Sequence, residues 1–248
     1  MLHGVRALCH GIFRSVLDFL FPPVCLQCRR RVSEPGNLCA DCWREIAFID
    51  GAQCASCGLP FEAPTFAGAR CAACLASPPA FDAARAVMRY DEKCKASLLA
   101  FKHADRLDLA PSFAHWLIRA GGDFITEMDT VVPVPLHRSR LWSRRYNQAA
   151  ELARALAQRT GKAFRPFALE RVRRTPSQGE MPSAIARRRN VAGAFRVRDT
   201  AKVAGRTVLL IDDVLTTGAT ADACARALKR AGASKVLVLA LARVVRPQ

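Results

Sequence analysis

Hydrophobic and polar positions follow three successive patterns along this chain. In residues 5–21, VRALCHGIFRSVLDFLF, the polar residues Arg6, His10, Arg14 and Asp18 recur every four positions on an otherwise apolar run. That period predicts a short amphipathic helix over residues 1–21, docked on protein; a membrane-surface helix is the weaker alternative. The run is broken by charges and lacks a small-residue cleavage site, so it does not read as a signal peptide, and no stretch has the length of a membrane span. A cytoplasmic, reducing location is the expectation. Residues 22–78 show no sustained period and are punctuated by cysteine, proline and glycine. After the break ASPPAFD (residues 76–82) the pattern becomes regular.

From there the chain alternates strand-like and helix-like segments. ARAVMRY predicts a strand, EKCKASLLAFKH an amphipathic helix, and LDLAPSFAHWLIRAGG a second helical segment ending on glycine. The strand TVVPVP, the helix NQAAELARALAQRTG and a basic loop-helix region over residues 170–195 follow. The strand VLLI (residues 208–211), a helix from about Ala219 to Ala231, a Gly-Ala turn and the strand KVLVLALAR close the pattern. Fully apolar strands alternating with helices predict an α/β fold with a parallel sheet and flanking helices over residues 79–248. In such sheets ligands bind beyond the carboxyl ends of the strands.

At such an end stand two adjacent carboxylates, Asp212 and Asp213, followed by Thr216-Thr217-Gly218-Ala219-Thr220. A strand buried on both faces does not end in an acidic pair without a use for it, because adjacent carboxylates repel and resist desolvation. Small residues opening a helix let backbone N–H groups and threonine hydroxyls surround a phosphate, aided by the helix dipole. The carboxylates can accept hydrogen bonds from a ribose diol while the loop holds its 5′-phosphate. A capped helix alone would need only one Ser, Thr or Asp.

Cysteine usage changes the picture of the first third. Of 11 cysteines, eight form four C-x-x-C pairs: Cys25/Cys28, Cys39/Cys42, Cys54/Cys57 and Cys71/Cys74. Two such knuckles complete a tetrahedral four-thiolate zinc site, so residues 22–78 predict a double zinc ribbon holding two structural Zn2+ ions. Sequential pairing is the simplest, and spacing does not exclude pairing the first knuckle with the third and the second with the fourth. Disulfides are the weaker alternative in a chain with no export signal. Gly58 after Cys57 suits a knuckle that needs positive φ. Cys9, Cys94 and Cys224 stand alone in helical patterns, as small core residues.

Charge separates the two regions. The chain carries a formal +17; residues 81–248 hold 31 Lys+Arg against 15 Asp+Glu, and residues 1–80 hold 7 against 6. A surplus on one part of the chain favours polyanionic partners. Eight thiolates and two Zn2+ take residues 1–80 from +1 to about −3, so the ribbon segment is not the basic surface.

The stretch from Asp212 to Thr220 resembles the signature of type I phosphoribosyltransferases, which bind phosphoribosyl pyrophosphate (PRPP). Taken together, the knuckles, Phe101-Lys102, VPVPL, Asn147-Gln148 and the acidic motif are similar to the ComF/GntX family across residues 22–245. The resemblance implies that PLHRSRLWSRRYNQ (residues 135–148) is the pyrophosphate loop, with Arg138, Arg140, Arg144 and Arg145 facing the anion. The family commonly has glycine where this chain has Arg145, a bulky cation in place of a residue tolerant of positive φ. The resemblance further implies a closing loop at residues 173–195, with Thr175, Gln178, Arg187 and Asn190 as substrate contacts, a phosphate contact from Lys102, and Mg2+ bound with PRPP. It implies a DNA-uptake factor handling single-stranded DNA in natural competence, with backbone contacts from arginines and stacking on Trp142 and Tyr146. DNA-uptake proteins are the implied partners. A PRPP-dependent transferase of nucleotide or amine metabolism and a PRPP-sensing regulator are the alternatives. No general base or nucleophile declares itself, and the sequence carries no mark of an oligomeric state.

Overall fold

The longest apolar runs form the middle of a parallel sheet. In a computed structural model, which describes residues 22–34, 36–103, 106–144, 146–176 and 183–245, β6 (Thr207–Leu215) and β7 (Lys235–Arg243) lie side by side. They are flanked by β1 (Ala83–Arg89) on one side and by β2 (Thr130–Pro133) and β3 (Ala163–Phe164) on the other. The order is β1-β7-β6-β2-β3 and every pairing is parallel. Residues Val208–Ile211 and Val236–Ala242 are buried along their whole length, as expected of strands covered on both faces. By internal packing the chain divides into two compact units, Met1–Ile46 and Ala47–Gln248, and the sheet belongs to the second.

The predicted helices form the covering layers. Helix α3 spans Glu92–His103, α4 Ala110–Gly121, α7 Gln148–Thr160 and α9 Ala219–Arg230. Helix α7 packs on β2 and β6, beside α4, which packs on β1 and β7. The crossovers β2–α7–β3 and β6–α9–β7 leave in opposite directions along the sheet, so right-handedness puts α7 and α9 on opposite faces. The connections diverge between β2 and β6, the switch point at whose carboxyl ends such sheets bind ligands in a crevice. Short helices fill the remainder: α5 (Asp123–Glu127), α6 (Arg138–Arg144) and α8 (Ala184–Val191).

Several local expectations are corrected. Strand β6 does not end at Ile211 but continues to Leu215, because β7 keeps pairing with it through Leu215↔Arg243. On its other side β2 pairs only as far as Pro133↔Ile211, so Asp212 and Asp213 lie in the strand, half-buried, beyond the reach of one neighbour. The stretch predicted as a pyrophosphate loop carries helix α6. The basic region over residues 170–195 holds α8 between two unpredicted strands, β4 (Leu169–Arg171) and β5 (Phe195–Val197), which pair antiparallel. The proposed helix over residues 1–21 lies outside the described residues.

Both cysteine segments repeat one plan. An antiparallel bridge, Val24↔Arg31 or Gln53↔Pro60, encloses the first knuckle. The second knuckle opens a short helix, α1 (Ala40–Glu45) or α2 (Ala72–Ala76), with Cys39 or Cys71 at its N-cap. The residue after the first knuckle has positive φ in each: Arg29 at 62° and Gly58 at 69°. Gly58 is fixed by more than its φ, since a Cβ there would stand 2.5 Å from the Ala84 carbonyl oxygen on β1. Around it the chain covers the open edge of β1: Ile49 N–H donates to Val87 O, Arg89 N–H to Ala47 O and Ala84 N–H to Ser56 O. The edge strand is thus closed by residues 47–58 instead of being left as an unpaired template.

Candidate functional site

The four-cysteine sets settle the pairing. Cys25, Cys28, Cys39 and Cys42 converge as one cluster and Cys54, Cys57, Cys71 and Cys74 as another, with the sulfurs of each within 4.8 Å of one another. The interleaved alternative is excluded. Cys28 and Cys39 Sγ are 3.6 Å apart, and Cys57 and Cys71 Sγ 3.7 Å. A disulfide needs about 2.05 Å, whereas a tetrahedron with Zn–S of about 2.3 Å has sulfur–sulfur edges of about 3.8 Å. Backbone N–H groups face the sulfurs, from Cys39 to Cys25 Sγ at 3.3 Å and from Cys71 to Cys54 Sγ at 3.3 Å.

The thiols show why such a cluster calls for a cation. Burial pushes the Cys54 thiol up, but N–H groups of Cys57, Cys71 and Ser56 outweigh it and bring it down to about 7. Burial, opposed by the Arg243 guanidinium, leaves Cys57 pushed up to about 11. Cys74 is driven up by burial and then by Cys57. Four sulfurs this close do not ionise together unless a metal displaces their protons. The two clusters fit two structural zinc ions, closed sites without an open coordination position. Cys94 and Cys224 are buried core residues, as their helical setting predicted, and Cys9 lies outside the described residues.

The second candidate centre sits at the carboxyl end of β6. Asp212 accepts the N–H of Asp213 at 2.9 Å, and both residues are half-buried at the switch point. Gly218, at φ 76° and ψ 0°, is the N-cap of α9, and the Phe81 ring lies where a Cβ would come within 3.8 Å of it. That turn aims the first N–H groups of α9, which have no intrahelical acceptors, at the strand end. Thr217 Oγ1 is buried there without a hydrogen-bond partner. An orphaned hydroxyl is costly by about 1–3 kcal/mol unless something else binds it, so the donor set fits a phosphate. Thr216 and Thr220 are half-buried and Ala219 is buried at the same turn. Beneath lies Arg171, 8% exposed, which donates to Thr175 Oγ1 and lies 5.4 Å from the Phe195 ring centroid. Burial drives the Cys224 thiol up; Asp212 raises it further and Arg171 opposes, which places both charges near that thiol.

Across the switch point, Asn147 caps α7 by accepting from Ala149 N–H and donates through Nδ2 to Val134 O at 3.0 Å. A cavity of about 560 Å3 opens beside it, with Arg138, Leu141, Phe164, Phe167 and Arg171 among its walls. Of the predicted pyrophosphate arginines, Arg138 lines this cavity, Arg140 and Arg144 lie on α6, and Arg145 is outside the described residues. Lys102 lies in the last turn of α3. Thr175 and Asn190 hold the stem of the segment over residues 173–190: Thr175 through Arg171, and Asn190 through Nδ2 to Pro176 O at 3.2 Å. Arg187 is half-buried on α8, and Gln178 lies outside the described residues. Trp142 is 88% exposed, whereas Tyr146 is half-buried and donates its hydroxyl to Phe101 O at 2.6 Å.

Sequence reasoning missed Arg243. It is 7% exposed at the end of β7 and donates to Cys57 O at 2.6 Å and to Cys57 Sγ at 3.3 Å. The signal was a lone cation closing an apolar strand, the same anomaly that marked Asp212.

Comparison with known proteins agrees with this geometry. A double zinc ribbon domain model matches residues 16–75 and a phosphoribosyl transferase domain model matches residues 147–246. The molecule is therefore a double zinc ribbon joined to a phosphoribosyltransferase-type α/β fold. DNA utilization protein YhgH of Salmonella typhimurium is 32% identical over 232 residues, 90% of this chain and 98% of that protein. Competence protein F of Haemophilus influenzae is 28% identical over 226 residues, 88% of this chain and 96% of that protein. The chain belongs to this ComF/YhgH family. Among solved structures, a glutamine PRPP amidotransferase from B. subtilis aligns at 19% identity and a TM-score of 0.40, covering 58% of this chain and 30% of that one. So distant a likeness adds nothing to the family matches.

Proposed function

We propose that this chain binds PRPP with Mg2+ in the crevice between β2 and β6 and serves in handling incoming single-stranded DNA. The observation that carries the first part is the buried, partnerless Thr217 hydroxyl in the Gly218 turn, directly after the half-buried Asp212–Asp213 pair. In this reading the turn over residues 216–220 takes the 5′-phosphate and the two carboxylates accept hydrogen bonds from the ribose hydroxyls. Arg138 and the other cations of α6 face the pyrophosphate, Lys102 meets a phosphate or the incoming group, and the segment carrying Arg187 and Asn190 closes over the ligand. Bound Mg2+ supplies charge neutralisation on the pyrophosphate oxygens. The DNA part rests on the relatives' names, on the positive surplus of residues 81–248 and on the exposed Trp142.

Calorimetry of zinc-replete protein with PRPP and Mg2+ tests the crevice: binding is expected, and Asp212→Asn or Asp213→Asn is expected to abolish it with the fold intact. Pyrophosphate release with an amine or nucleobase, lost in the same variants, would make the protein a transferase. Absence of measurable PRPP binding by the native protein would overturn the proposal.

A further inference from the structure

A second concavity, about 400 Å3, opens between α8 and α9; its lining holds no cysteine and neither Asp212 nor Thr217, and Ala219 is its one residue from the turn over residues 216–220. Its floor is apolar, with Val191 and Phe195 buried, and its rim carries Arg188 and Arg189 from α8 with Arg226 and Arg230 from α9. The carboxylate in its lining, Asp222, is already used: Oδ1 accepts Ala80 N–H at 2.6 Å and Oδ2 accepts from Arg226 at 2.6 Å. Arg188 reaches Ser77 Oγ at 3.2 Å. Among the described residues, the guanidinium groups of Arg189 and Arg230 have neither a carboxylate nor a hydrogen-bond acceptor.

Four guanidinium groups from two elements thus face one saturated carboxylate across a concave surface. Like charges gathered this way repel each other, and a solvated helix face would ordinarily interleave both signs. What relieves the repulsion is an anion, and the planar guanidinium fork suits phosphate oxygens. The anion's form follows from the surroundings. An apolar floor offers no polar group to orient a small phosphate ester. Arg226 and Arg230 stand one turn apart along α9, about 6 Å, which forms a track instead of a cage.

We propose that the α8–α9 groove is a phosphodiester-backbone site for single-stranded nucleic acid, separate from the crevice between β2 and β6. This rests on the DNA-handling reading and gives it a location. The surface cations bind the backbone without reading sequence.

The test is fluorescence anisotropy of a labelled oligothymidylate with the full zinc-loaded chain, titrated across salt. The double variant Arg189→Glu/Arg230→Glu changes exposed side chains and should fold as the native protein does. It is expected to bind at least about tenfold more weakly, with the slope of log K against log salt shallower by about 1.4, two contacts at ~0.7 each. PRPP affinity by calorimetry should be unchanged in the single variant Arg230→Glu, which lies outside the segment over residues 173–195. Arg189→Lys/Arg230→Lys should keep the native slope, and inorganic pyrophosphate should not displace the bound strand. If the native chain binds DNA and the Glu variant keeps affinity and slope, the groove assignment fails while the DNA reading stands. If the native chain binds no DNA, both fail. Displacement by pyrophosphate would also overturn the groove as a separate backbone site.

Discussion

At the scale of single residues, the informative positions are those that cost stability without an evident structural return. Thr217 buries a hydroxyl with no partner. Replacing it with the near-isosteric valine removes that cost, so Thr217→Val should raise stability by about 1 kcal/mol in urea unfolding. If the hydroxyl serves a phosphate, the same substitution should weaken PRPP binding by about tenfold, roughly 1.4 kcal/mol, in calorimetry. A stabilised variant that binds PRPP normally would remove Thr217 from the site. Arg29 is the mirror case. It takes φ 62° at the position where the second ribbon has Gly58, and a non-glycine residue there is strained by about 1 kcal/mol. Arg29→Gly should make the first zinc harder to remove, seen as a higher chelator concentration for half-release, because metal binding and folding are coupled in such modules. Gly58→Ala should do the opposite for the second zinc, since its Cβ would collide with the Ala84 carbonyl oxygen at 2.5 Å.

At the scale of elements, the second ribbon is bound to the sheet by Arg243, whose guanidinium holds Cys57 from the end of β7. The same β7 residue pairs with Leu215, the last residue of β6 before the phosphate turn. Arg243→Met keeps the volume of the side chain and removes its donors. It should weaken the second zinc by about 10–100-fold, the usual effect of losing a hydrogen bond to a ligand, and leave the first unaffected. Competition with a chromophoric chelator reads this as two release steps where the native protein shows them closer together. This coupling also marks where the sequence stopped being legible. The central strands and α7 and α9 could be read because whole-strand burial and a 3.6-residue period are local signals. The strand β3 and the β4–β5 hairpin could not, because two or three residues hold no period. The run of β6 past its acidic pair was set by β7 pairing alongside it, which no local pattern records. The same holds for the site. Asp212 to Thr220 are contiguous and were visible, whereas Phe81 beside Gly218, Arg171 near Cys224 and, at the second cysteine cluster, Arg243 come from distant segments.

At the scale of the whole molecule, the question is where the ribbon pair ends and the α/β fold begins. The sequence places the change at residues 76–82, where the hydrophobic pattern turns regular, but internal packing divides the chain after Ile46. The physical reason lies in the edge of β1. Its outward backbone groups are satisfied by Ala47, Ile49 and Ser56, and Gly58 is pressed against Ala84. A chain starting at residue 79 would expose that edge and strip Arg243 of its acceptors on Cys57. A chain starting at residue 47 keeps all of these contacts. The shorter truncation, residues 47–248, should therefore be soluble and cooperatively unfolding, with one zinc by elemental analysis against two for the full chain. The longer truncation, residues 79–248, should aggregate through its unpaired edge. If both truncations fold equally well, the second ribbon is an appendage and its contacts with β1 and Arg243 are incidental. If only the shorter one folds, half of the double ribbon is a structural part of the phosphoribosyltransferase-type unit.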